Sequence, residues 1–200
     1  MKKRLSFALL FMMLAGFLIA SLPAPNSQFW INPAVWDDLR IPLTSVRVTG
    51  PKAPAWTAFV DGTYAWAFSN TTENEVYFVM QSSHKQKLNS PFEAHLHWVP
   101  STTNTGSIQP CIECTKSDIG GTFGSTFTTC GICAADGTAF KQQICELGDI
   151  PGFTGVSGMM NCRLYRDVTG PDDYTAIAYF LEFDHHYQID SNGSRQEYVK

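Results

Sequence analysis

The chain has 200 residues, of which 44% are hydrophobic and 13% aromatic, enough to fill a core. Only 16% are charged, against roughly a quarter in ordinary soluble domains, so the chain is neither disordered nor a coiled coil. The net charge is −4; without Lys2, Lys3 and Arg4, 11 basic residues face 18 acidic ones, a net −7. We do not expect so acidic a chain to bind nucleic acid, because nucleic-acid-binding proteins need a basic surface for the phosphates.

The first segment has the pattern of a secretory signal peptide. Residues 5–20 are uncharged, follow the three basic residues and precede a proline-containing stretch. We predict that residues 1–24 are a signal peptide or a retained N-terminal anchor, which would be the chain's only contact with a membrane. Prolines are then frequent through residues 25–55, and we expect a Pro-rich arm there.

From Trp56 onward, apolar and polar residues alternate in short runs separated by turn residues, which is typical of β-strands. The predicted strands are 56–60, 64–69, 75–81, 92–99, 108–117, 125–133, 138–147, 158–167 and 176–189. This spacing favours an all-β, jelly-roll-like β-sandwich over residues 56–200, since a flat open sheet would leave exposed edges.

The last predicted strand can be assigned face by face. Odd positions from Leu181 to Ile189 are largely apolar, and the even positions hold Glu182, Asp184, His186 and a glutamine. Because side chains alternate along a strand, we expect His185 among apolar neighbours and His186 on a polar face with Asp184. That polar face and the arm are the predicted surfaces for self-association.

Six cysteines fall within a stretch of about fifty residues and allow three interpretations, of which free buried thiols are expected if the first segment is not a leader. Cys111-x-x-Cys114 and Cys130-x-x-Cys133 have the spacing of a zinc ribbon, with four thiolates around one ion. The same spacing is symmetrical about Gly121–Phe123, so a hairpin would pair Cys111 with Cys133 and Cys114 with Cys130. Cys145 and Cys162 would then form a third disulfide. An exported chain favours disulfides, because it meets an oxidising environment.

A second candidate site is built on histidines. His95 and His97 share one face of a predicted strand, and a His-x-His pair is how cupin-type enzymes begin a metal site. The glutamate that usually follows in cupins is absent, since Ser101 and Thr102 occupy those positions. His186 could supply a third imidazole for a divalent metal. Alternatively, the histidines belong to a polar face or interface, with no cofactor.

Several segments together resemble a family of virion-associated proteins from tailed-phage and marine viral genomes, whose biochemical activity is unassigned. The resemblance covers about residues 35–200 and rests on Val35–Pro42, Ala94–Pro100, Cys162–Asp167 and His186–Tyr198. It implies a structural role, and other virion proteins as partners, rather than a reaction.

We therefore expect a non-enzymatic structural protein of a virion or extracellular assembly, forming a homo-oligomer through its sandwich. A cupin-like enzyme using His95, His97 and His186 is the first alternative. The second is a secreted carbohydrate-binding sandwich, in which exposed Trp56, Trp66 or Trp98 would stack on sugar rings.

Overall fold

The computed structural model describes residues 35–200. The predicted leader and residues 25–34 of the predicted arm lie outside the described residues. Between Val35 and Lys200, no helix has the length and apolar character needed to cross a membrane.

The regular secondary structure of the described chain is nearly all β-strand, with two short 3-10 helices at Leu43–Ser45 and Gly50–Lys52. The strands are β1 (Val35–Pro42), β2 (Ala55–Ala58), β3 (Tyr64–Phe68), β4 (Glu75–Gln81), β5 (Phe92–Pro100), β6 (Ser107–Ile108), β7 (Pro110–Ser117), β8 (Phe127–Cys130), β9 (Cys133–Ala134), β10 (Gln143–Ile150), β11 (Met159–Arg166) and β12 (Ala178–Ile189). Each of the nine predicted segments contains a strand. The all-β prediction is confirmed.

Two antiparallel sheets form a sandwich. The first has the order β10-β5-β12-β3-β2, with β1 paired to the second half of β12 beside β3. The second has the order β4-β11-β7-β8, and β6 and β9 form a separate two-stranded pair. Side chains of both sheets meet in one core, where the rings of Phe78 on β4 and Phe183 on β12 lie 5.3 Å apart.

Period-2 alternation sets the inner surface of the first sheet. On β5, Phe92, Ala94, Leu96 and Trp98 all point into the core and are fully buried. The residues between them, including Glu93, His95 and His97, point outward. The sequence pattern therefore fixes which residues are available for function on the opposite surface of this sheet.

The sandwich begins about twenty residues earlier than the prolines predict. β1 pairs with β12 along its whole length, and Ile41, Leu43 and Val46 are buried in the core. The described part of the predicted arm is thus part of the sandwich. Pro42 ends β1 and Pro51 lies in a 3-10 helix, positions where a missing backbone N–H costs little.

All six cysteines are in disulfides, which confirms that class of cross-link, but the predicted pairs are wrong. Cys111 bonds Cys130, Cys114 bonds Cys162, and Cys133 bonds Cys145. The predicted zinc site at Cys111, Cys114, Cys130 and Cys133 is also wrong, because no free thiol remains to ligate a metal.

The observed pairing follows from the register of β7. The β7–β8 hairpin places Cys111 opposite Cys130 and Cys114 opposite Phe127, an offset of three residues from the predicted symmetrical turn. Cys114 therefore has no cysteine opposite it on β8, but Cys162 lies opposite it on the other neighbour, β11, and these two residues form the second disulfide. The Cα atoms are 4.1 and 4.2 Å apart in these two disulfides, as expected for directly opposed residues.

The third disulfide joins β9 to β10 of the first sheet. A Cβ on Gly131 would lie 2.2 Å from the carbonyl oxygen of Glu146, so only glycine permits this approach. The cross-link between Cys133 and Cys145 forms beside this contact, with Cα atoms 5.5 Å apart. Three disulfides of this kind indicate an oxidising, extracellular environment.

Candidate functional site

The outer surface of the first sheet carries the predicted histidines. We call it the histidine face; it comprises Trp36, Asp38, Arg40, Glu93, His95, His97, Glu182, Asp184 and His186. These residues alternate with core residues along β1, β5 and β12, which lie side by side. Strand periodicity thus brings His95, His97 and His186 to one surface, as predicted.

Strand register sorts the charged side chains of this face into rows. Glu93, His186 and Asp38 are opposed across the three strands, and in the next row His95, Asp184 and Arg40 are opposed. Directly opposed side chains in a sheet lie close enough to interact, so acidic and basic groups alternate along each row. The face therefore has few unpaired charges.

Asp184 is the centre of the face and is only 5% exposed. Its Oδ2 lies 3.2 Å from His97 Nε2, and its Oδ1 lies 3.6 Å from His95 Nδ1. Burial raises the pKa of the Asp184 carboxyl, and the two nearby histidines oppose that shift without cancelling it. The Gln142 amide nitrogen lies 2.7 Å from His97 Nδ1 and donates to it, which leaves the Nε2 proton for Asp184.

His186 is held by the neighbouring strand β1. Its Nδ1 lies 2.6 Å from Asp38 Oδ1, and its ring stacks on Trp36 with centroids 4.8 Å apart. On the same strand, Arg40 donates to both carboxylate oxygens of Glu182 at 2.6 and 2.8 Å. Sequence reasoning places Trp36, Asp38 and Arg40 in the arm and so misses them as site residues. The alternation of Asp38 and Arg40 with the apolar Leu39 and Ile41 is the signal that indicates a strand here.

His185 points the other way and is completely buried. It lies between Phe92 and Phe183, with ring centroids 5.4 and 4.7 Å away, and neither ring nitrogen has a hydrogen-bond partner in the protein. Burial, with a smaller effect of His95, lowers the pKa of His185 to about 3. The prediction that adjacent residues 185 and 186 serve opposite faces is confirmed.

The geometry does not suit the predicted metal site. His97 and His186 bind carboxylate oxygens of different residues, and the three imidazoles lie on an open sheet surface. In residues 35–200, no three His, Cys, Asp or Glu side chains are arranged to hold a metal ion.

The three tryptophans proposed for sugar stacking have different environments. Trp98 is in the core, and Trp66 is half-buried with its indole N–H donating to the Leu43 carbonyl at 2.7 Å. Trp56 is 46% exposed and Tyr64 on the neighbouring strand is 55% exposed. Their rings are 6.2 Å apart and 23° from parallel, so they form a small exposed aromatic platform.

No protein-family model and no curated protein matches this sequence. The resemblance to virion-associated proteins therefore stays a prediction.

Proposed function

We propose that this chain is a structural module of an extracellular or virion assembly, which associates with copies of itself through the histidine face. The observation that carries the proposal is the row pattern of this face, in which acidic and basic groups alternate across three strands. A surface with both charges in alternation can pair with a second copy of itself, as an isologous interface requires.

The remaining features support this proposal. The three disulfides suit a protein that works outside a reducing compartment. Ile144, on the edge strand β10 and opposite His97, is 56% exposed and adds apolar area beside the charged rows. A leader at residues 1–24 would provide secretion.

We also propose that the sandwich is a jelly roll. One sheet contains β3, β12, β5 and β10 as successive neighbours, and the other contains β4, β11, β7 and β8. The short strands β6 and β9 belong to neither of these sheets. Among the other strands from β3 to β12, each strand lies in the opposite sheet from the one before it, except that β7 and β8 are neighbours in the same sheet. This alternation supports a pair of interlocked Greek keys, an architecture common in assembling proteins.

The test is the mass of the secreted full-length chain in solution, measured by light scattering across protein concentrations. Arg40→Glu places a carboxylate beside Glu182, Asp184 and Asp38, so we expect the oligomer to dissociate at concentrations where the unmodified chain stays associated. Lys52→Glu on the other sheet's surface is the matched control, because Lys52 is also an exposed cation paired with a glutamate. A monomeric unmodified chain, or equal dissociation by both variants, would contradict the proposal.

A second candidate function is carbohydrate binding at Trp56 and Tyr64. The specific observation in its favour is the pair of nearly parallel, exposed rings, since aromatic faces stack on the apolar faces of sugar rings. We expect Trp56→Ala to abolish retention of the protein on insoluble polysaccharides such as cellulose or chitin. Phe123→Ala is the control, because Phe123 is equally exposed and lies in the β7–β8 loop. Retention unchanged by Trp56→Ala would exclude this platform.

A further inference from the structure

Three segments remote in sequence meet around His84. They are the β4–β5 connection, the β10–β11 connection and the chain that follows β12. The Ser82 N–H donates to the Gly158 carbonyl at 2.8 Å, and the Asp190 N–H donates to the Lys85 carbonyl at 3.3 Å. The half-buried His84 lies between two hydroxyl groups: its Nε2 is 2.6 Å from Ser157 Oγ, and its Nδ1 is 2.6 Å from Ser194 Oγ.

The hydrogen-bond partners determine which imidazole nitrogen carries the proton. Ser194 donates its single hydroxyl hydrogen to the Gln196 carbonyl, at 2.5 Å. Ser194 Oγ must therefore accept at its other contact, so His84 Nδ1 carries a hydrogen and donates to it. His84 Nε2 is then the unprotonated nitrogen, and it accepts from the Ser157 hydroxyl. This is the tautomer and orientation that a general base needs toward a serine nucleophile.

The backbone of Ser157 gives a second, independent observation. Its φ is +58°, a left-handed conformation that residues other than glycine, asparagine and aspartate rarely adopt. Such backbone strain tends to occur where a side chain must be presented in a fixed direction. Gly158 follows directly, and a Cβ there would lie 2.2 Å from the Phe153 ring, so the turn is tightly packed beneath the serine.

Polar atoms without partners are also concentrated in these segments. Ser82 Oγ, Ser191 Oγ and both polar atoms of the Gln86 amide are buried and have no hydrogen-bond partner in the protein. Unpaired buried groups cost stability and often indicate a functional site. Here they accompany a serine and a histidine already in hydrogen-bond contact.

We infer that Ser157, His84 and Ser194 constitute an acyl-transfer site that acts on esters. Ser157 Oγ attacks the ester carbonyl carbon while His84 Nε2 takes the hydroxyl proton. The tetrahedral intermediate collapses, the bond to the alkoxy oxygen breaks, and His84 returns the proton to the leaving alcohol. Water then attacks the acyl-serine carbonyl carbon while one of its protons passes to His84 Nε2. The bond to Ser157 Oγ breaks, His84 returns the proton to that oxygen, and the carboxylic acid leaves. Ser194 is a positioning residue that holds the imidazole in the required tautomer.

The test is covalent trapping of the full-length chain with an alkyl fluorophosphonate. Ser157 Oγ forms the bond to phosphorus, fluoride leaves, and His84 takes the proton, so a stable adduct marks the nucleophile. We expect mass spectrometry to place the adduct on the peptide containing Ser157, and we expect none in Ser157→Ala. Ser45→Ala, at an exposed serine that donates to the Pro42 carbonyl, is the control and keeps the rate of the unmodified chain.

The other two residues are tested by rates of labelling and of p-nitrophenyl acetate hydrolysis. His84→Gln slows both by roughly a hundredfold or more, the usual contribution of a general base. Ser194→Ala slows them by at least about tenfold, and Ser194→Thr restores them because it keeps the hydroxyl acceptor. An unchanged thermal midpoint with three intact disulfides shows that each variant is folded. Three results would overturn the inference: no adduct on the unmodified chain, an adduct on a different peptide, or equal labelling of Ser157→Ala. None of these results depends on whether His84→Gln folds.

Discussion

The two outer surfaces of the sandwich both carry networks of paired charges, but the cations differ. On the first sheet they are mainly imidazoles, gathered around Asp184 and Asp38. On the second sheet the central cation is Arg163, which binds Glu73, Glu75 and Glu113. We call this second surface the arginine face.

The difference matters because arginine and histidine bind carboxylates differently. The guanidinium of arginine stays protonated and offers five N–H donors, so Arg163 contacts three glutamates at once. His97 and His186 each contact a single aspartate. Loss of Arg163 should therefore cost more than loss of any one pair on the histidine face, and that cost should not change near neutral pH.

The largest expected effect comes from the inner side of β12, beneath the histidine face. The pKa of His185 is lowered from 6.5 to about 3 in the folded protein, so acid favours the unfolded state, where this histidine can take a proton. Stability is lost as the pH falls below 6.5, and the loss is roughly 2 kcal/mol at pH 5.

Urea unfolding at pH 7.5, 6 and 5, followed by tryptophan fluorescence without reductant, measures this loss. His185→Phe should remove most of the pH dependence, because a phenyl ring suits the surroundings of Phe92 and Phe183 and does not titrate. His186→Ala is the control and should keep the dependence. If His185→Phe retains the full slope, the acid sensitivity originates elsewhere.

The second prediction concerns the arginine face. Arg163→Ala removes the hydrogen bond of 2.7 Å to Glu75, whose side chain is only 10% exposed, and leaves three carboxylates close together. We expect unfolding free energy to fall by about 2 kcal/mol. Lys52→Ala, at an exposed partner of two of these glutamates, should cost much less, because water screens its ion pairs.

This loss should be nearly the same at pH 8 and pH 6, which separates it from the effect of His185. Burial raises the pKa of Glu75, but hydrogen bonds from Tyr77 and Arg163 outweigh burial and lower it below 4.5. The stabilisation by this carboxylate is therefore present above pH 4.5 and declines as the pH falls further. A strong dependence between pH 8 and 6 would contradict the contrast between the faces.

A third, smaller effect is expected at Asp184. Its pKa is raised mainly by burial, so the charged form is unfavourable in the folded state at neutral pH. Asp184→Asn keeps an oxygen acceptor for His97 and removes that charge, so we expect a gain of about 1 kcal/mol or less at pH 7. The gain should disappear below pH 4, where the aspartate is itself protonated. Asp38→Asn, at a more exposed carboxylate, should show little gain.

Much of the fold follows from residues near one another in sequence. The alternation in 92–99 and 176–189 was enough to assign His95, His97 and His186 outward and His185 inward. The sequence does not predict β1, because the prolines of residues 25–55 indicate an arm, although Pro42 only ends the strand. Strand edges tolerate proline, so its presence alone does not exclude a strand.

Features that depend on register between strands were not predictable. The β7–β8 turn is offset by three residues, which changes every cysteine pair although each cysteine lies in a strand. The contact between Ser157, His84 and Ser194 joins loops 73 and 110 residues apart, and no local pattern indicates it. Local periodicity gives the faces of strands, and tertiary packing decides which loops meet.

The smallest expected effect is the coupling between His186 and Asp38, which lies at the solvent-exposed edge of the histidine face. Their contact is 2.6 Å, but the Asp38 side chain is 46% exposed, and exposed pairs contribute less than about 1 kcal/mol. A double-mutant cycle with His186→Ala and Asp38→Ala should therefore give only a small coupling. The corresponding cycle with Arg163→Ala and Glu75→Ala should give a larger coupling, because the Glu75 side chain is only 10% exposed and its contact with Arg163 is shielded from water. Equal couplings in the two cycles would mean that burial does not distinguish the paired charges of the two faces, and that loss of Arg163 should cost no more than loss of His186.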